Sequence, residues 1–293
     1  MTIERYFSPQ TLEEAAGILS QGQGQGEGGV TILAGGTDLM VQVHSGKLKF
    51  KPVLMNIRRV GEMQGISLAG GVIRIGALVS ITELLTNGIV RDNLPALTEA
   101  ADHFASDQIR NAGTVGGSLC NASPAGDVAP PLMVYNAEVE LVSKPNGSMK
   151  VHTLPLAGFF TGPGRTRMEP NELLAALRVP MPKAGYVARF VKFGTRPALD
   201  ISTISIAIGG VKMGRALHDV RVVLGAVAPV PLRAALTEAA LEGRELDAAL
   251  IDRVAATAHD EVKPISDVRA SAWYRQELVH NIVKRMLTDV AQG

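Results

Sequence analysis

Two glycine pairs and one acid are the residues in this sequence whose types and spacing suggest chemistry. The first pair lies in ILAGGTDLM, residues 32 to 40. A strand ending in Ala-Gly-Gly-Thr leaves several backbone N–H groups pointing one way with no side chains in front of them, a nest for an anion such as a pyrophosphate. Glycine permits positive φ and close approach of a ligand. The same residues also make an ordinary tight turn after a strand, and on this motif alone both readings stand. The stretch is neither the dinucleotide fingerprint G-x-G-x-x-G nor a Walker A loop, because it has no Gly-Lys-Ser/Thr.

The second pair sits in IRNAGTVGGSLCNASPAGDVAPP, residues 109 to 131. No apolar recurrence at three and four residues marks an amphipathic helix, and Gly, Asn and Pro are too frequent for a central strand. A small-residue turn with an exposed backbone is expected. Within it, TVGGS (114–118) offers amides and hydroxyls to phosphate or ribose. Asp127 follows nine residues beyond Ser118 as a carboxylate suited to sugar hydroxyls, and Pro124, Pro130 and Pro131 stiffen the backbone around it. Two such turns about 80 residues apart, with one acid, fit a large dinucleotide clamped between two segments.

The elements that must position these residues are those of a globular chain. Its 293 residues suffice for about two domains. Hydrophobic residues make up 46% and charged residues 19%, enough for a real core. The net charge of +1 gives no reason to expect nucleic acid or an anionic membrane as partner. No window reaches about 18 continuous apolar residues, the N-terminus lacks the pattern of a secretory signal, and a cytoplasmic protein is expected. A capped helix is expected at SPQTLEEAAGILS, with Ser8 or Thr11 at the cap, then a surface loop over residues 21 to 29. Strands are expected at VTILAGG, 51–60, 71–84 (passing into a helix near Ser80), AEVELVSK and MKVHTL, with a helix over 94–106. GYVARFVKFGT, ISTISIAIGGVKMG and HDVRVVLGAVAP read as an antiparallel meander, and helices follow from Pro231 on.

LAGGTDLM together with QIRNAGTVGGSLCNASPAGDVAPPLM resembles the FAD-binding subunit of the molybdenum hydroxylases, the xanthine dehydrogenase and carbon monoxide dehydrogenase family. The resemblance extends to YVARFVKFGTRPALDIS (186–202) and ISDVRASAWYRQELV (265–279) and covers nearly the whole chain. It implies an α/β (α+β) fold: a two-lobed FAD-binding domain of the vanillyl-alcohol-oxidase type over 1–178, with lobes of about 1–60 and 61–178, and a C-terminal antiparallel sheet-plus-helices domain over 179–293. Carried over residue by residue, the pyrophosphate turn falls on Ile32, Leu33, Ala34, Gly35, Gly36, Thr37, Asp38 and Leu39. The second turn falls on Thr114, Val115, Gly116, Gly117 and Ser118, and the family's acid on Asp127. Further flavin contacts fall on Phe104, on Leu174 as a loop residue flanking the ring, and on Lys192. A cation near the isoalloxazine favours the anionic reduced flavin, which supports Lys192; its plain alternative is a solvated lysine on an edge strand.

The resemblance also implies a division of labour. A large partner would carry the molybdenum cofactor, a small partner two [2Fe–2S] clusters, and this chain the FAD that passes their electrons to an external acceptor, the whole implied to be a dimer of heterotrimers. The one cysteine, Cys120, agrees, since clusters held by cysteines must lie elsewhere; Cys120 itself reads as a buried filler of the small-residue wall. The histidines show no ligand spacing and no metal site is expected. No side chain is expected to act as catalytic acid or base. Trp273, Tyr274 and Arg275 read as anchors of the last helix or a partner contact, and Asp107 and Arg110 as a local pair. Two other functions compete: a free-standing flavin oxidase or dehydrogenase of the same domain type, and a non-catalytic nucleotide-binding protein that retains the fold.

Overall fold

The structure, a computed structural model, describes residues 3–23, 29–196 and 199–292. Short β-branched segments open it. β1 (Arg5–Phe7) and β2 (Val30–Leu33) flank β3 (Val53–Asn56), and both pair with it in parallel. Between the outer strands runs α1 (Leu12–Gln23), where Thr11, not Ser8, fills the cap by accepting the Glu14 N–H at 3.2 Å. The helix continues to Gln23, past the start of the loop expected over 21–29, and 24–28 lie outside the described residues. The Gly35–Gly36 turn follows β2 and leads into α2 (Leu39–His44).

A second, wholly antiparallel sheet contains β4 (Ile66–Ala69), β5 (Val72–Gly76), β6 (Glu138–Ser143), β7 (Lys150–Pro155) and, after the small hairpin β8 (Phe160–Gly162) and β9 (Arg165–Thr166), β10 (Leu173–Pro180). Its order is β4-β5-β10-β6-β7. Between β5 and β6 the chain makes α3 (Ile81–Thr86), α4 (Gly88–Asn93), α5 (Pro95–Asp102), α6 (Asp107–Ala112), α7 (Val115–Asn121) and α8 (Ala129–Val134). α3 starts at a full capping box, Ser80 and Glu83 each bonding the other's backbone.

The small-residue stretch is therefore not one extended turn but three short helices and their joints. Ser106 caps α6 and Thr114 caps α7 through their hydroxyls, and Pro130 and Pro131 sit in the first turn of α8, where their missing N–H groups cost nothing. Every residue of α8 is buried. A helix enclosed on all sides has no polar face, so the periodicity that betrays a surface helix is missing.

The third sheet is the expected meander: β11 (Tyr186–Phe193), β12 (Ile204–Met213), β13 (Ala216–Gly225) and the short β14 (Leu232–Arg233), antiparallel in that order. Side chains alternate between its faces. Ala188, Phe190, Ala207 and Val223 join the buried cluster built by the N-terminal elements. Ile204, Ile206, Ile208, Val222 and Leu224 face α9 (Ala235–Leu241), α10 (Ala248–Glu261) and α11 (Ala272–Gln292) in a second cluster. On the first face, α8 packs against β11, β12 and β13, and α5 against β11. Close approach needs small residues: a Cβ on Gly225 would lie 2.3 Å from Ser205 Oγ and 3.4 Å from Pro130 Cγ. At the start of α11, Arg275 is buried and bonds the Asp267 carboxylate at 2.7 Å and the Ile265 carbonyl at 3.1 Å. Tyr274 meets Phe193 edge-on, while Trp273 stands in solvent.

Candidate functional site

The two glycine segments lie against each other. A Cβ on Gly35 would come within 2.0 Å of the Ala112 carbonyl oxygen and 3.0 Å of Gly113 Cα, so the first turn packs backbone on backbone at the α6–α7 joint. Gly36 has φ +76°, a conformation that L side chains rarely adopt. Across the same contact Gln42 reaches both Asp38 and Asn121 with its amide.

The segments differ in what their backbones offer. Among the described residues, the N–H groups of Ala34, Gly35, Gly36, Thr37 and Asp38 donate to no protein acceptor, and Asp38 makes no side-chain cap to α2. These residues are half-buried apart from the exposed Asp38. Successive free donors at a glycine turn make an anion site. The amides at 115–118 are spent internally. Val115 N–H donates to Val79 O at 3.0 Å, Gly116 to Ala77 O at 2.9 Å, Gly117 to Thr114 Oγ1 at 3.1 Å and Ser118 to Thr114 O at 3.0 Å. The second segment is thus a helix start and not a second nest. Gly116 is there for packing, since a Cβ would lie 2.6 Å from Ala77 Cβ and 2.7 Å from its oxygen. What faces outward is the Gly117 edge and the half-buried Ser118.

Asp127 and Lys192, read separately in the sequence, are partners. Lys192 Nζ lies 2.8 Å from Asp127 Oδ2, with both side chains more than nine-tenths buried. Ser202 Oγ donates to Asp127 Oδ1 at 2.5 Å, and Lys192 also donates to the His103 carbonyl at 3.1 Å. β11 is an edge strand as expected, yet Lys192 is not solvated, because its face of the sheet turns toward the N-terminal half. Burial pushes the Asp127 carboxyl above its ordinary range, while the Lys192 ammonium and the Ser202 hydroxyl pull it back down. Phe104 follows His103, half-buried against the core, with its carbonyl bonded by Arg110 at 3.0 Å. Arg110 also pairs with Asp107, the expected local contact.

Leu174 departs from its expected place in a loop. It lies in β10, buried in the core, beside the irregularity between Leu174 and Ala176. Cys120 is exposed and not a buried filler; its Sγ is 3.7 Å from Met168 Sδ. Ser202 and the His103 carbonyl were missed by the sequence reading, since neither residue type carries a signal without the fold.

With this geometry in hand, comparison with known proteins decides the family. The family of FAD binding domains in molybdopterin dehydrogenase matches residues 1–182, and that of CO dehydrogenase flavoprotein C-terminal domains matches residues 189–290. The chain belongs to the molybdopterin-dehydrogenase flavoproteins. It is 32% identical to the xanthine dehydrogenase FAD-binding subunit of Escherichia coli O157:H7 over 286 residues, 97% of this chain and 94% of that one. It is also 32% identical to the carbon monoxide dehydrogenase medium chain of Hydrogenophaga pseudoflava over 284 residues, 96% of this chain and 95% of that one. The solved carbon monoxide dehydrogenase of Hydrogenophaga pseudoflava superposes with a TM-score of 0.88 at 31% identity, covering 97% of this chain and 96% of that chain. The cofactor of this flavoprotein is FAD, and its class is an oxidoreductase subunit. Among the described residues no helix is long and apolar enough to cross a membrane.

Proposed function

We propose that this flavoprotein holds FAD with its pyrophosphate on the 32–39 turn, against the wall formed by 114–118, and with its sugar and ring end toward Asp127, Lys192 and Phe104. The observation that carries this reading is the run of free amides from Ala34 to Asp38, a donor set that fits a pyrophosphate. In this reading Thr114, Val115, Gly116, Gly117 and Ser118 serve by shape more than by amide donation. Leu174 serves through the backbone beside its bulge, because its side chain is in the core.

When bound, FAD supplies the ability to take up and hand on electrons. The chain's residues orient and shield it. The turn amides offset pyrophosphate charge, Asp127 accepts from sugar hydroxyls with the lone pairs that Lys192 and Ser202 leave open, and Lys192 keeps a fixed cation beside the acid. The partners are a small subunit carrying [2Fe–2S] clusters and a large subunit carrying the molybdenum cofactor, in a dimer of heterotrimers in the cytoplasm. Residues 1–178 and 179–293 act as the FAD domain and its C-terminal companion. The test is co-expression with and without both partners. Purified chain with about one FAD per polypeptide, copurifying with an iron–sulfur and a molybdenum subunit, is the expected result. A folded chain that stays colourless in excess FAD would overturn the reading.

A further inference from the structure

Asp127 is the one acid at the proposed site that receives donors on both oxygens from a distant part of the chain. Lys192 comes from the end of β11 and Ser202 from the residues that return toward β12. Among the described residues between the two strands, the Asp200 carboxylate accepts from the Thr195 hydroxyl at 2.9 Å, the Thr195 amide and the Ile201 amide at 2.9 Å. Gly194 fits beneath it, since a Cβ there would lie 2.7 Å from Asp200 Oδ2. Thr203 N–H then rejoins the sheet at the Phe193 carbonyl, 2.8 Å away. Ser202, only 1% exposed, is thereby held between these contacts and the sheet, against Asp127.

We infer that Ser202 is a positioning residue: its hydroxyl fixes the orientation of the Asp127 carboxylate, and so sets which lone pairs remain for the sugar hydroxyls of FAD. Its bearing on the ligand rests on the proposed FAD reading. The physical reason is that a single contact to Lys192 leaves the carboxylate free to pivot about that contact. A second donor on the other oxygen stops the rotation. Of roughly four acceptor directions on a carboxylate, two are taken, and the other two then point in fixed directions.

The charged groups facing Asp127 are Lys192 from β11 and His103 from the end of α5. A donor stabilises a carboxylate more than a protonated acid, so the Ser202 contact has a pH signature that ordinary packing lacks. Removing the hydroxyl raises the folded-state pKa of Asp127 further. The resulting loss of stability is small at pH values where the acid is protonated and complete once it is ionised.

The experiment measures melting of the full flavin-free chain across pH 4 to 8 for the parent, S202A, D127A and the double variant, all in a His103→Gln background that removes the imidazole charge. The S202A penalty is expected to grow with pH by about 3 °C and to vanish when Asp127 is already alanine. FAD affinity, titrated at pH 8, is expected to fall about tenfold in S202A. A penalty independent of pH, or one that persists beside D127A, overturns the inference. So does unchanged FAD affinity in S202A when D127A has lost it. Failure of the parent itself to bind FAD would overturn the FAD reading, and the ligand part of the inference with it.

Discussion

Gly35 and Gly36 are neighbours under different constraints. At Gly35 the obstacle is the Ala112 backbone, 2.0 Å from where a methyl would sit, and backbone cannot swing aside. At Gly36 the nearest atom is the end of Leu33, 3.0 Å away, and the cost is conformational. Gly35→Ala is expected to destabilise the flavin-free chain by about 3 kcal/mol through overpacking, and Gly36→Ala by about 1 kcal/mol through its positive φ. Chemical denaturation of the two variants without FAD checks the order. Loss of colour in Gly35→Ala or Gly116→Ala is therefore no measure of ligand contact, because each glycine is already required by packing. At Lys192, truncation leaves Asp127 buried and unpaired. Lys192→Met is expected to cost about 3 kcal/mol at neutral pH, and less as pH falls and Asp127 takes up a proton, read from melting at pH 8 and pH 4.

At the scale of elements, the turn before α11 owes its shape to Asp267, which accepts from Arg275 and from the Arg269 and Ala270 amides. The Arg275 hydrogen bond, aided by those amides, holds the Asp267 carboxyl down at about 2. A depressed acid contributes stability that is present above its unfolded value, near 4, and is lost as pH falls toward 2. Asp267 is partly exposed, so its contribution is discounted to about 1 kcal/mol. Asp267→Asn should lower the melting temperature by about 3 °C at pH 7, with the gap to the parent closing by pH 2. Equal gaps at both pH values would refute the assignment.

β12 and β13 are legible in the sequence because half of each strand faces one core and half the other, so long apolar runs end at glycine turns. α1 is legible from its cap and its apolar face. α6, α7 and α8 are not: each spans two turns or fewer, α7 is rich in glycine and α8 is wholly buried, so no apolar period marks them. The first glycine turn is legible as a turn with open amides, but the use of the Val115 and Gly116 amides is not, since their acceptors, Val79 and Ala77, lie in another segment. Asp127 stands out as an acid among small residues. Its partners do not, because they are 65 and 75 residues away in the chain.

The described residues form two buried clusters, but the border between them does not follow the middle of the chain. Ala188, Phe190, Ala207 and Val223 lie in the same cluster as the N-terminal helices. Glu99 on α5 adds polar stitching by accepting from Arg189 and from the Phe190 amide, both at 2.6 Å. A core shared this way cannot open on one side alone. Calorimetry of the flavin-free chain is expected to show a single transition, and two resolved transitions would contradict the shared core. Saturating FAD should move that transition upward, by about 2.7 kcal/mol of added stability at a hundredfold excess over Kd.

The close fit of α8 on the third sheet also bears on ancestry. Pro130 rests where Gly225 and Ser205 leave room, and the Tyr186 hydroxyl donates to the Val134 carbonyl while its ring fills the space that Gly209 leaves. A larger residue on either side demands a smaller one opposite, so substitutions on the two sides of this seam are expected to be coupled. A hybrid joining residues 1–182 of this chain to the C-terminal region of a relative is expected to lose stability wherever that relative carries a larger residue opposite Pro130 or Val134. It should regain that stability only when the residues facing Pro130 and Val134 are transplanted together with their neighbours.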